Sequence, residues 1–119
     1  VVDYKAQSSN YPITVSSYLD AEWHLSYKLQ MDIYVHILRK MNFKVSDLSY
    51  FYVCNGIKTN NKFDNKIDFT TTLIPYRVDT SWIENKLSEM KDVLNSEKVP
   101  EIEKSCEKCA YLKGGKDFF

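Results

Sequence analysis

A long amphipathic segment, residues 19–41, constrains the fold of this chain more than any other feature. Apolar side chains recur along one side of it at helical spacing, and a second apolar row follows another side. The first row is Tyr27, Met31, Tyr34, Val35 and Leu38, and the second is Leu25, Leu29, Ile33, Ile37 and Met41. A helix that is apolar on two sides is expected to be covered on both, as in a layered α/β domain.

Short segments before and after this helix have the composition of β-strands. Residues 1–6 and 48–54 are rich in β-branched and aromatic residues, and residues 66–76 alternate in part between apolar and polar. Pro75 ends the last segment or places it at a sheet edge. A second helix is predicted over about 81–96. The order strand, helix, strand, strand, helix predicts an α/β fold with a mixed sheet flanked by helices.

Composition narrows the class of protein. Sixteen basic and sixteen acidic residues cancel, so the chain lacks the positive charge that drives non-specific nucleic-acid binding. No apolar run approaches the ~20 residues that cross a bilayer, and three cysteines are too few for a disulfide scaffold. We therefore expect a cytoplasmic protein with no membrane contact. Residues 1–119 should form one domain, with loops at 7–17 and 55–65 and an irregular tail at 97–119.

The first predicted strand carries an Asp-x-Lys motif, Asp3 and Lys5. Residues two apart in a strand share a face, so this carboxylate and this ammonium point the same way. Carboxylate oxygens hold Mg²⁺ or Mn²⁺, such a metal activates water, and a lysine offsets charge on a phosphoryl transition state. The structural alternative is a surface ion pair, which is worth about 0–1 kcal/mol.

The long helix carries a Gln-x-x-x-Tyr motif within a stripe of aromatic residues. Trp23, Tyr27, Gln30 and Tyr34 follow one another at spacings of four, three and four, which places them on one helix face. A buried Gln30 needs hydrogen-bond partners, which a metal-bound water, a phosphate or a base edge could supply. Alternatively, Gln30 bonds to a neighbouring backbone group and the tyrosines are core residues with solvated hydroxyls.

Together, the Asp-x-Lys strand, the Gln-x-x-x-Tyr helix and the aromatic strand that follows resemble the PD-(D/E)XK nuclease superfamily. The resemblance is to its RecB-like exonuclease branch in particular, including the CRISPR-associated RecB-like nucleases. It covers residues 1–54 by motif and extends to about residue 109 by the order of elements. It implies a restriction-endonuclease-like core, of which this chain is the C-terminal part. It also implies metal-dependent, exonuclease-like hydrolysis of DNA phosphodiesters in the intact protein.

The resemblance implies a role for each matching residue. Asp3 would be a ligand of Mg²⁺ or Mn²⁺, and the backbone carbonyl of Tyr4 a second ligand. Lys5 would be the catalytic lysine, and Gln30 and Tyr34 would position the DNA strand or that lysine. The family's other metal-binding aspartate lies on a preceding strand and has no counterpart here. We therefore expect a preceding segment or a partner chain to supply it, and the chain alone not to be a competent nuclease.

Two other functions remain open at this stage. The first is a catalytically silent module of the same fold that binds nucleic acid or protein, which the zero net charge favours. The second is an unrelated α/β interaction domain in which both motifs are accidental.

The remaining candidate ligands are cysteines and histidines. Cys106 and Cys109 form half of a metal knuckle. Some RecB-like nucleases hold an iron–sulfur cluster, so the resemblance implies an Fe–S or Zn²⁺ site here if further ligands come from elsewhere. The alternative is a pair that binds no metal. Cys54 is expected in the core. His24 and His36, twelve residues apart, are too distant for a close metal pair and are expected to be structural or exposed.

Overall fold

Three strands form a mixed sheet in the order β1–β2–β3. The computed structural model describes residues 1–59 and 65–115, and in it β1 spans Val2–Gln7, β2 spans Leu48–Gly56 and β3 spans Phe69–Arg77. Strand β1 runs parallel to the central strand β2, and β3 runs antiparallel to it. Two neighbouring parallel strands require a crossover connection, which is usually helical. The α/β class and the mixed sheet predicted from the sequence are therefore confirmed.

The crossover from β1 to β2 contains two helices. Helix α1 spans Val15–Leu19, and a 3₁₀ turn over Glu22–His24 leads into helix α2, Leu25–Lys40. Thr14 caps α1 in a reciprocal capping box with Ser17. Helix α2 ends next to Asn42, whose φ of 64° is left-handed and stops helical propagation.

The chain divides into two compact units, Val1–Ile83 and Glu84–Phe119. Helix α3, Ile83–Leu94, lies almost wholly in the second unit, which also contains helix α4, Glu107–Gly114. The described residues thus form four α-helices and a single three-stranded sheet. No helix among them is both long and apolar enough to cross a membrane.

Helices α1 and α2 contribute side chains to a core on one face of the sheet. Its buried members are Tyr18, Met31, Phe51, Val53 and Ile74. The opposite face is far more open, since Val2 and Tyr4 of β1 are 65% and 61% exposed. Side chains alternate between the two faces of a strand. Asp3 and Lys5, which alternate with Val2 and Tyr4, therefore lie on the sheltered face that packs against the helices.

One side of α2 is not covered as the sequence predicted. Met31 and Val35 are fully buried, and Met31 belongs to the core cluster formed with the sheet. The second apolar row keeps 39–60% of its surface exposed; it consists of Leu25, Leu29, Ile33, Ile37 and Met41. The prediction of cover on both sides is wrong, because the described part of the chain packs a single sheet against this helix.

Several boundaries also differ from the prediction. The predicted loop at 7–17 contains the start of α1, and the long helix begins at Leu25 rather than at residue 19, because Asp20 ends α1 and Ala21 is extended. The tail at 97–119 is not wholly irregular, since Cys106 caps α4.

The other predicted elements lie close to their observed positions. The helix predicted at about 81–96 is α3, and the strand predicted at 66–76 begins at Phe69. Pro75 lies in β3 at the edge of the described sheet, as predicted. Residues 60–64 of the loop predicted at 55–65 and residues 116–119 of the tail lie outside the described residues.

Candidate active site

The Asp-x-Lys motif lies in a sheltered ion pair on β1. Lys5 Nζ is 3.0 Å from Asp3 Oδ2, and the two side chains are only 17% and 18% exposed. They share a face of the strand, as the spacing of two predicted. A freely solvated surface pair is therefore not what the structure contains.

The ammonium of Lys5 is held from three directions. Besides its contact with Asp3, Nζ donates a 2.7 Å hydrogen bond to Gln30 Oε1. It also lies 4.2 Å from the centre of the Tyr27 ring, within the range of a cation–π contact. An ammonium has three N–H donors and no acceptor, so these neighbours fix its position in space.

The Gln-x-x-x-Tyr motif completes the set. Gln30 Nε2 donates a 2.7 Å hydrogen bond to the hydroxyl of Tyr34, one helical turn further on. Lys5 can only donate, so the amide must turn its oxygen to Lys5 and its nitrogen to Tyr34. Asp3, Lys5, Gln30 and Tyr34 thus form one connected row of polar side chains, assembled from β1 and α2.

Two buried polar atoms in this region lack hydrogen-bond partners among the described residues. One is Asp3 Oδ2, which is at ion-pair distance from Lys5 but receives no hydrogen bond, and the other is the hydroxyl of Tyr18. Burial raises the pKa of Tyr18 to about 12, with smaller contributions from Tyr27 and the charge of Asp3. Buried polar groups without partners are rare in proteins, and here the charge of Asp3 is balanced by Lys5, so the hydroxyl of Tyr18 is the one that calls for an explanation.

The sequence gives no sign of the role of Tyr18. It lies between the loop predicted at 7–17 and the helix predicted from residue 19, and nothing in its neighbours distinguishes it from a solvated tyrosine. Its position depends on α1, which packs the ring against Phe51 of β2 at 5.7 Å between centroids. Only the capping pattern of Thr14 and Ser17 could have indicated that this helix exists.

Two oxygen groups of β1 have the chemistry that a divalent cation would require. Tyr50 N donates to Val1 O, so the carbonyls of β1 that alternate with Val1 O, including that of Tyr4, point away from β2. Tyr4 O and the Asp3 carboxylate are both hard oxygen ligands. No group of three or more His, Cys, Asp or Glu side chains able to hold a metal occurs in the described ranges. Mg²⁺ commonly uses one or two carboxylates and completes its shell with water and phosphate.

Asp32, the acidic residue between Gln30 and Tyr34, has a structural role. Asp32 is 3% exposed and accepts hydrogen bonds from Tyr76 OH at 3.0 Å, Asp79 N at 3.1 Å and Trp82 Nε1 at 3.1 Å. Burial and the charge of Asp32 both raise the pKa of Tyr76. A carboxylate with three donors is satisfied, so Asp32 fastens the end of β3 to α2.

The cysteine pair provides two potential ligands and no more within the part of the chain described. Cys106 and Cys109 are free thiols at the start of α4, and Cys106 Sγ accepts a hydrogen bond from Cys109 N at 3.3 Å. No third ligand joins them in the described ranges. Cys54 is buried, as predicted.

A cleft of about 500 Å³ lies beside the row of polar side chains. Tyr27, which contacts Lys5, lines it, together with Trp23, His24 and Tyr11. His24 is buried, and its Nδ1 lies 2.8 Å from the carbonyl of Tyr18, a structural position consistent with the sequence expectation. The helical spacing predicts Trp23 and Tyr27 on one stripe, but nothing in the sequence indicates the cleft.

Comparison with known proteins identifies no relative. No protein-family profile matches this chain, and no curated protein and no solved structure is significantly similar to it.

Proposed function

We propose that this chain forms part of a metal-dependent nuclease that hydrolyses DNA phosphodiesters in the manner of a PD-(D/E)XK exonuclease. The observation that carries the proposal is the connected row Asp3, Lys5, Gln30 and Tyr34. Two motifs that are 25 residues apart meet at a single ammonium. An accidental coincidence of the motifs would give no reason for this contact.

The arrangement supports a division of labour among the residues. A divalent cation at Asp3 and Tyr4 O would polarise the phosphoryl group and supply an activated water. Gln30 accepts one N–H of Lys5, and Lys5 would offer another to a phosphate oxygen. Tyr34 keeps the Gln30 amide oriented. Lys5 would then offset negative charge as it develops on the attacked phosphate.

The fold is consistent with the restriction-endonuclease-like core that we propose. Strand β1 bears the acidic and basic pair, α2 bears the glutamine and tyrosine, and the parallel strand β2 follows. The three cysteines are unpaired, which suits a reducing, cytoplasmic compartment. Cys106 and Cys109 would hold Zn²⁺ or an Fe–S cluster only with ligands from another segment or chain.

A catalytically silent binding module is the second candidate. It is favoured by the presence of a single carboxylate, Asp3, in the row of polar side chains, because the described residues form no group of three metal ligands. In such a module Lys5 would bind a phosphate and Gln30 would hold Lys5 in place, without hydrolysis.

The test is cleavage of end-labelled linear DNA with Mn²⁺, comparing the unaltered protein with Lys5→Ala. The protein is assayed both as the 119-residue chain and in its full reading frame. We expect Lys5→Ala to lower the cleavage rate about 10²- to 10³-fold, the usual effect of removing one donor that stabilises transition-state charge.

Lys44→Ala serves as the matched control, because Lys44 is exposed and lies on no element of the site. Cleavage that survives Lys5→Ala would refute the proposed role of Lys5. DNA binding that depends on Lys5 without any cleavage, even in the full reading frame, would establish the silent module instead.

A further inference from the structure

We infer that the cleft beside Lys5 binds an unpaired nucleobase, so that the nucleic-acid strand held at this site is single-stranded there. The part of the inference that places a phosphate at Lys5 rests on the proposed function. The part that places a base in the cleft rests on the aromatic lining, and it can be tested without hydrolysis.

The cleft exposes two large aromatic rings to solvent. Trp23 is 77% exposed and Tyr11 is 80% exposed, and both line the cleft. Exposed aromatic side chains in a groove are the usual stacking surfaces for bases of single-stranded nucleic acid. Every base has a π-face, so such stacking requires no particular sequence.

The inner rings of the cleft are held rigidly. His24 stacks on Tyr27 with 5.2 Å between ring centroids and an angle of 23°, and it meets Trp23 edge-on at 5.9 Å. The contact of His24 Nδ1 with the carbonyl of Tyr18 fixes the imidazole between them. Trp23 is therefore presented by a preorganised base of aromatic rings, which reduces the entropy that a bound base would cost.

The rim of the cleft is polar and anchored to the sheet. Ser9 N donates to Asn55 Oδ1 at 2.7 Å, Asn55 Nδ2 donates to Ser9 O at 3.0 Å, and Ser8 Oγ donates to Gly56 O at 2.9 Å. These bonds hold the segment after β1 against β2. A volume of about 500 Å³ lies within the ~300–1,000 Å³ range of small-molecule sites, and a few polar groups around apolar walls suit a base with a polar edge.

Tyr27 links the cleft to the phosphate site. One ring lies 4.2 Å from Lys5 Nζ and also lines the cleft. A phosphate at Lys5 would therefore bring the base of an adjoining nucleotide over Tyr27 and Trp23. A base in a duplex is stacked and paired, so only an unpaired base could enter. With a net charge of zero, base stacking would contribute affinity that phosphate contacts cannot.

The test measures binding of fluorescent oligonucleotides of about 12 nucleotides by anisotropy, at low salt in EDTA so that no metal-dependent hydrolysis occurs. The ligands are oligo(dT), oligo(U), an abasic strand of equal length and a blunt duplex. The proteins are the unaltered chain, Trp23→Ala, Trp23→Phe and the control Tyr111→Ala. Tyr111 matches Trp23 in exposure at 81% and does not line the cleft.

We expect Trp23→Ala to weaken oligo(dT) or oligo(U) binding about 5- to 150-fold, the range that stacking of one base supports. Trp23→Phe should restore much of the affinity, and Tyr111→Ala should change nothing. The inference is overturned if the unaltered chain binds the abasic strand or the duplex as tightly as the single strands. It is also overturned if no oligonucleotide binds, or if Trp23→Ala and Tyr111→Ala behave alike.

These outcomes are separable from those of the nuclease assay. If Trp23→Ala weakens oligonucleotide binding and no variant cleaves DNA, the base site is supported and the nuclease is refuted. If cleavage requires Lys5 but does not change in Trp23→Ala, and binding does not depend on Trp23, the nuclease is supported and the base site is refuted. Far-UV circular dichroism of each variant verifies the fold, which an exposed residue such as Trp23 should not affect.

Discussion

At the scale of single residues, the most informative group is the hydroxyl of Tyr18, which is buried without a partner among the described residues. Leaving a buried hydroxyl unsatisfied costs about 1–3 kcal/mol. A protein keeps such a group only where water, an ion or a ligand satisfies it, or where it serves a purpose other than stability. The nearby Asp3 Oδ2 differs, because the Lys5 ammonium lies 3.0 Å from it. The hydroxyl of Tyr18 therefore marks a place where a water molecule would be bound.

Tyr18→Phe tests this interpretation. The ring and its contact with Phe51 remain, so we expect the free energy of unfolding at neutral pH to stay the same or rise. In the nuclease assay, the rate should fall if the hydroxyl contacts the attacking water. A clear loss of stability with unchanged activity would show that the hydroxyl is satisfied structurally.

The stability of the unaltered protein and that of Tyr18→Phe should depend differently on pH. The pKa of Tyr18 is about 12 in the folded protein, above the ordinary value of 10.0. Because the pKa of Tyr18 is higher in the folded than in the unfolded protein, its contribution to stability is fully present below the unfolded pKa. That contribution is lost as the pH rises through the folded pKa. Between pH 10 and 12, the unaltered protein should therefore lose stability faster than Tyr18→Phe in urea titrations. Parallel curves would contradict the burial of this hydroxyl.

The two thiols at the start of α4 should differ in reactivity. The thiol and backbone N–H of Cys109 hydrogen-bond to Cys106 and lower its pKa, and the same contact raises the pKa of Cys109. The thiolate is the reactive form. At about pH 7.5, one unit below the ~8.5 of a free thiol, iodoacetamide should modify Cys106 before Cys109, as judged by peptide mass spectrometry. Cys109→Ala should slow the reaction of Cys106; faster alkylation of Cys109 would reverse the assignment.

At the scale of elements, α2 connects sheet stability to the site. Its buried row anchors the helix, and the face that bears Gln30 and Tyr34 depends on that anchoring for its position over β1.

Two methionines of this helix region allow a matched comparison, because Met31 is fully buried and Met41 is 60% exposed. Met31→Ala should lower the free energy of unfolding by about 2–5 kcal/mol, and Met41→Ala by less than ~0.5 kcal/mol. Chemical denaturation measures both; equal losses would show that the outer row of α2 is covered in solution.

The elements that the sequence predicts are those whose signal is local and repeated. The strand at Leu48 and the end of the long helix near residue 41 follow from composition and from the 3.6-residue period. Helix α1 was missed because it is five residues long and its cap lies in a serine-rich stretch that resembles a loop. The exposed row of α2 was misjudged because periodicity shows which side chains are apolar and cannot show what packs against them.

Part of the site could be predicted because its two motifs are local patterns. A spacing of two in a strand and of four in a helix places Asp3 beside Lys5 and Gln30 beside Tyr34. The contact that joins the two pairs depends on how α2 crosses β1, which no local pattern contains. The cleft around Trp23 depends in addition on the 3₁₀ turn between the two helices, so it was not foreseen.

At the scale of the whole molecule, the proposed function would give a divalent cation two protein ligands among the described residues, the Asp3 carboxylate and Tyr4 O. Such a site should be weak alone and should strengthen when a phosphate supplies further oxygens. Titration of Mn²⁺ by isothermal calorimetry should therefore give weak binding to the 119-residue chain. Phosphate-bearing oligonucleotide should tighten it, and Asp3→Asn should remove the gain.

The exposed carboxylate Asp20 gives the control, because Asp20→Asn makes the same chemical change at the end of α1. A full reading frame that supplies another carboxylate should bind Mn²⁺ tightly without nucleic acid, since affinity for hard cations rises with the number of charged ligands. If the chain binds Mn²⁺ equally with and without oligonucleotide, or if Asp3→Asn behaves like Asp20→Asn, then Asp3 is not a metal ligand. Its pairing with Lys5 would then serve the binding module instead of hydrolysis.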